Sequence, residues 1–147
     1  MVEPNLDRGV SAEMSGFELH PQLKADTLPV TSLVTSDVLL MNDARFPWLI
    51  LVPRVAGARE LHTLPTPVSQ QIHEEVIQVT SVLASITGAY KMNSGALGNM
   101  VEQLHIHVIA RFPEDAAWPK PVWGFGERQD YVNDQASALI ARLLVEL

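Results

Sequence analysis

Residues 103–109 read Gln-Leu-His-Ile-His-Val-Ile, polar at 103, 105 and 107 and apolar at 104, 106 and 108. A period of two means a β-strand, because successive side chains leave an extended chain on opposite faces. One face then carries Gln103, His105 and His107, each about 6.6 Å from the next at the rise of a strand. The other face, Leu104, Ile106 and Val108, is suited to a core. This pattern predicts a strand over residues 103–111, ended ahead of Pro113, lying inside a sheet with both histidines at a cleft. Gly95 and Gly98, just upstream, interrupt any regular element and bring the backbone amides of a glycine loop into the same neighbourhood. Imidazoles beside such a loop suit an anionic, phosphorylated ligand.

The remaining elements follow from similar signals. Val68, Ile72, Val76, Val79, Leu83 and Ile86 recur at three- and four-residue steps, so Thr66–Thr87 is an amphipathic helix. Thr66 is its expected hydroxyl cap, Pro67 its first helical residue and Gly88 its stop. Gln71, Glu74, Glu75 and Gln78 form its polar face, with His73 solvated beside them. Strands are predicted at 30–34, 37–42, 48–52 and 89–92, the second and third joined by a hairpin-like connection. Residues 17–26 form a short helix or turn that tucks Phe17, Leu19 and Leu23 inward. Residues 118–126 are too rich in Pro and Gly for a regular element, whereas 135–147 place Leu139, Ile140, Leu143 and Leu144 at helical spacing. Residues 1–16 lack apolar periodicity and read as a mobile leader ahead of a single domain over 17–147. The fold class is α+β: an antiparallel sheet with one long helix and a C-terminal helix.

Composition excludes several functions. The 147 residues suffice for one core, and 47% apolar with 18% charged residues is ordinary for a soluble globular protein. A formal net charge of −7 argues against nucleic-acid binding, which requires Lys and Arg to neutralise phosphates. It leaves a small phosphorylated ligand open, since a pocket can be locally positive on an acidic protein. No apolar run is long enough for a membrane span, and the N-terminus lacks the charged and apolar regions of a signal peptide. With no cysteine there is no disulfide or thiol chemistry, and the cytoplasm is the expected location. Two histidines at i and i+2 can also ligate a metal. A third ligand would have to come from His20, His62, His73 or a carboxylate, and none stands at a recognised ligand spacing, so no metal site is expected.

Taken together, Asn93, Gly95, Gly98, Val101, His105, His107 and Arg111 resemble the signature of the histidine triad (HIT) family, in which three alternate histidines follow a glycine loop. Two positions depart from it: Asn99 stands at the usual glutamine, and Gln103 replaces the first triad histidine. The likeness extends more loosely over residues 17–115, where Pro47-Trp48 stands in place of the family's Gly-His. It implies a commonly dimeric α+β fold, with the long helix or the strand preceding the glycine loop at the interface. It also implies a nucleotide phosphohydrolase or nucleotidyl transferase, similar to diadenosine polyphosphate hydrolases, that uses no cofactor and takes a nucleotide or dinucleoside polyphosphate. Carried over position by position, His105 is the nucleophile that forms a nucleotidyl-histidine. His107 contacts the α-phosphate, and Gln103 fills the first triad position without imidazole's capacity to carry a proton. Gly98 and Asn99 hold phosphate oxygens, Asn93 orders the loop or contacts phosphate, and Asn42 contacts the ribose. Trp48 shapes a base or ribose pocket by stacking, or is an ordinary core aromatic. Trp118 and Trp123 cap the site or seal the tail. A non-catalytic nucleotide-binding or sensing module is the alternative function.

Overall fold

A computed structural model describes residues 16–147. Apart from Gly16, the leader expected from the sequence lies outside the described residues. The elements run α1 (Pro21–Asp26), β1 (Thr27–Ser32), β2 (Ser36–Met41), β3 (Trp48–Pro53), a 3₁₀ turn (Leu61–Thr63), α2 (Thr66–Thr87), β4 (Lys91–Gly95), β5 (Ile106–Arg111) and α3 (Gln135–Glu146). The strands form one sheet in the order β1-β2-β3-β5-β4, every neighbouring pair antiparallel. This is the α+β architecture that the sequence predicts. Among the described residues no helix is long and apolar enough to cross a membrane.

Both faces of the sheet are covered, which is why β3 and β5 are buried along their whole length. On one face Val38, Leu40, Leu49, Leu51, Val108 and Ala110 pack against Val79 and Leu83 of α2 and Leu143 of α3. On the other, Leu39, Trp48, Ile50, Val52 and Ile109 are covered by Leu23 of α1, by Phe46, and by Ala117, Val122 and Trp123 of the Pro/Gly-rich tail. His105 and His107 share this second face with Ile109, as the alternation requires.

Several boundaries differ from the sequence expectation, each for a local reason. The motif strand begins at Ile106, opposite Leu51, rather than at Gln103. Before that point the chain leaves the ladder: Leu104 N–H donates to Ala58 O at 2.9 Å, and its side chain joins Ala58 and Ile72 in a separate apolar cluster. Strand β4 extends to Gly95, which pairs with His107, so of the two glycines only Gly98, at φ 68°, makes the backbone turn. Strand β1 starts three residues earlier than expected. It follows directly from α1, where Thr27 Oγ1 donates to Leu23 O at 2.6 Å, and it leaves Val34 exposed in the turn. Helix α2 has the predicted bounds, but Pro65 rather than Thr66 is its N-cap and no side chain caps it. Gly88 closes it in the left-handed conformation.

Glu75 is the clearest departure from periodicity. It was expected on the polar face, yet it is buried, and its carboxylate accepts the N–H groups of Thr35 (3.0 Å) and Ser36 (2.9 Å). Those amides stand at the entry to β2, and the helix supplies their acceptor from its side.

Candidate functional site

His105 and His107 have ring centroids 4.8 Å apart and meet edge to face. Both are buried, at 6% and 5% exposure, in a tight aromatic setting rather than at the cleft expected from the sequence. Trp123 meets His107 edge-on at 5.5 Å between centroids and Trp48 at 6.5 Å, so the tail closes over the pair. The tail is anchored by buried Arg111. Its guanidinium donates to both Asp115 oxygens (2.7 and 3.1 Å), to Asn93 Oδ1 (2.8 Å) and to Lys120 O (2.8 Å).

The hydrogen bonds fix the proton on each ring. His105 Nδ1 lies 2.7 Å from Gln103 O. A carbonyl only accepts, so Nδ1 carries the hydrogen and a neutral ring keeps its lone pair on Nε2. On His107 the arrangement is reversed. Trp48 Nε1–H donates to Nδ1 at 3.0 Å, and an indole nitrogen only donates, so the His107 proton sits on Nε2. The pair thus offers one unprotonated nitrogen and one N–H. Burial first, then repulsion from His105, lowers the pKa of His107 to about 4, so this ring is neutral at pH 7.

Three clefts among the described residues have neither histidine of this pair in their walls. One of about 430 Å³ has His20, Arg59, Met100 and Gln103 in its walls. Another of about 230 Å³ is bounded by Asp43, Arg45, Trp48 and Phe125. A third, about 480 Å³, is lined by Leu19, Lys24, Thr27 and Leu39. No three potential metal-ligating side chains of His, Cys, Asp or Glu come together among the described residues.

The HIT domain sequence profile matches residues 24–114. The chain belongs to the HIT family. It is also similar to a solved HIT protein from Sinorhizobium meliloti, with 42% identity over 91% of this chain and 99% of that one and a TM-score of 0.89. HIT proteins from Bradyrhizobium japonicum (41% identity, covering 88% and 97%, TM-score 0.87) and Marinobacter aquaeolei (44%, 89% and 96%, 0.87) share the fold as closely. No curated protein matches the chain.

Within this HIT domain the residues singled out from sequence divide into two groups. His105 and His107 are together, and Gly98 and Asn99 lie in the loop before them, with Asn99 exposed. Gln103 lies outside the strand, as does His105. It precedes the ladder, and its amide is spent on the backbone of the N-terminal segment, accepting His20 N–H and donating to Glu18 O, both at 2.8 Å. Asn93 Oδ1 accepts from the Arg111 guanidinium at 2.8 Å, which joins β4 to the end of β5. Asn42 Oδ1 accepts Tyr131 N–H at 2.9 Å and so ties β2 to the approach of α3. Its neighbour Asp43 holds Arg45 by two side-chain contacts, 3.0 and 2.8 Å.

Sequence reasoning missed Trp48 as a hydrogen-bond donor and Asp115 as the partner of Arg111. The contact between Trp48 and His107 spans 59 residues and carries no local signal. The Arg-x-x-x-Asp spacing of residues 111 and 115 was the one available hint.

Proposed function

We propose that this HIT protein is a nucleotide phosphohydrolase or nucleotidyl transferase that works through a covalent nucleotidyl-histidine on His105. One observation carries the reading: His105 Nδ1 lies 2.7 Å from a carbonyl acceptor and His107 Nδ1 lies 3.0 Å from an indole donor, so neutral rings take opposite tautomers. Nucleophilic attack needs a lone pair, which His105 presents at Nε2 because Nδ1–H is committed to Gln103 O. Stabilising the charge that builds on phosphate oxygen needs a donor, which His107 presents at Nε2–H. Nε2 of His105 bonds to the α-phosphorus while the bond to the leaving group breaks and its electron pair departs with that group. Water, or another acceptor, then displaces His105 and completes hydrolysis or transfer.

Backbone amides around Gly98, with Asn99, supply further donors to the phosphate, and Asn42 faces the ribose in this scheme. The substrate is a nucleotide or dinucleoside polyphosphate. A second copy of the chain completes the assembly through β4 or α2. Strand β4 is a sheet edge, and Tyr90 beside it and Ile77 on α2 are largely exposed. The sensing alternative draws on Gln103, whose amide carries no titratable proton and is bound to backbone.

A labelled-nucleotide panel with wild type and His105→Ala tests the reading. Wild type is expected to turn over and to trap label on His105 as an acid-labile adduct. His105→Ala should lose turnover by at least about a thousandfold while still binding, because attack on phosphorus has no substitute and binding is spread over many contacts. Tight binding by wild type without turnover would establish the sensor instead. Wild-type turnover in His105→Ala would remove His105 from its role.

A further inference from the structure

We infer that Trp48 is a positioning residue of this site: its indole N–H, donated across two neighbouring strands, holds the His107 proton on Nε2. Its bearing on turnover rests on the roles proposed above for His105 and His107.

The placement follows from the register. Trp48 pairs with Ile109 and Ile50 pairs with His107, so Trp48 and His107 are diagonal neighbours on one face of the β3–β5 ladder. Diagonal pairs lie about 7–8 Å apart at the backbone, a gap that only a long side chain bridges. The bicyclic indole does so, and its nitrogen ends 3.0 Å from Nδ1.

A core aromatic needs only to fill space, and Phe46 does that on the same face, 6.4 Å from Trp48 between ring centroids. Trp48 does more. Its one polar atom is aimed at the one acceptor on the neighbouring histidine, where a phenylalanine of similar bulk would leave Nδ1 without a donor. Trp123 does not replace it: its own indole N–H is buried and has no partner among the described residues, and it packs edge-on against the His107 ring. Trp48 is therefore the donor that decides which His107 nitrogen is protonated, and with it whether an N–H or a lone pair is left at Nε2. A lone pair there would repel a phosphate oxygen.

The test reads the tautomer directly, in the ligand-free protein near neutral pH, from the ¹⁵N shifts of the His107 ring and its long-range ¹H–¹⁵N correlations. Wild type should show an unprotonated, hydrogen-bonded Nδ1 and a protonated Nε2. Trp48→Phe, which keeps an aromatic ring but removes the N–H, should show both tautomers. On a nucleotide substrate it should lower kcat in proportion to the share of His107 lost to the Nδ1–H form, about twofold when the two are equally populated, with KM little changed, the pattern of a donor used in the transition state. A His107 that stays entirely Nε2–H in folded Trp48→Phe would overturn the inference. So would a protonated Nδ1 in wild type, which decides the matter even if the variant does not fold. Failure of the proposed chemistry is distinguishable, because an absent nucleotidyl-histidine leaves the ligand-free spectrum as it is.

Discussion

Acid should destabilise this protein through His107, and the size of the effect follows from that ring's burial. In the fold its pKa is lowered to about 4, first by loss of water and then by the neighbouring His105. In the unfolded chain it returns to about 6.5. Above roughly pH 7 both states hold a neutral ring and the contribution to stability is complete. As the pH falls through about 6.5, the unfolded chain takes up a proton that the native ring refuses until about pH 4, so stability is lost across that window. The gap between the two values amounts to about 3 kcal/mol when fully expressed, and to about 2 kcal/mol by pH 5. Asp115, lowered to about 2 because Arg111 and backbone N–H groups outweigh the opposing effect of burial, loses its contribution only at lower pH.

The assay is urea unfolding at about pH 7.5 and about pH 5, followed by tryptophan fluorescence, on wild type and His107→Phe. The phenylalanine variant starts less stable, since Trp48 loses its acceptor at a cost of about 1–3 kcal/mol. The informative quantity is therefore the slope with pH rather than the level. Wild type should lose about 2 kcal/mol more than the variant between the two conditions. Parallel losses would refute the reasoning, showing that His107 takes up its proton in the folded state as readily as in the unfolded one.

Two further perturbations test the surroundings of the site. Gln103→Ala removes both bonds that hold Glu18 and His20, so it should cost about 1–3 kcal/mol and speed hydrogen exchange at the His20 amide; unchanged exchange there would show that the clamp is not formed. Asp115→Ala strands the buried Arg111 guanidinium and also removes the acceptor for the N–H groups of Phe112, Ala117 and Trp118. Thermal or urea unfolding should then report a loss of about 3–5 kcal/mol, and a loss below about 1 kcal/mol would mean the tail is anchored by other contacts.

What local pattern can encode was legible in the chain. The alternation at 103–109 specified a strand, of which Ile106–Arg111 forms, and it put His105 and His107 side by side, because side-chain direction in an extended chain depends only on parity. The apolar stripe of Val68, Ile72, Val79 and Leu83 specified α2 and its buried side, and Gly88 its end. Parity, however, says which face a residue takes and not what it meets there. Gln103 continues the alternation in sequence, yet the ladder starts only at Ile106, because Leu104 is drawn to Ala58 and its apolar neighbours. Glu75 occupies a polar position of the helix but turns inward to two amides about forty residues away. Trp48 and His107 became partners through the register of β3 against β5, which is set by the sheet as a whole. The sequence by itself determined the elements, their faces and the presence of the histidine pair. Only the tertiary structure decided which nitrogen of each histidine carries the proton, because a tautomer is chosen by whichever donor or acceptor the fold brings within about 3 Å.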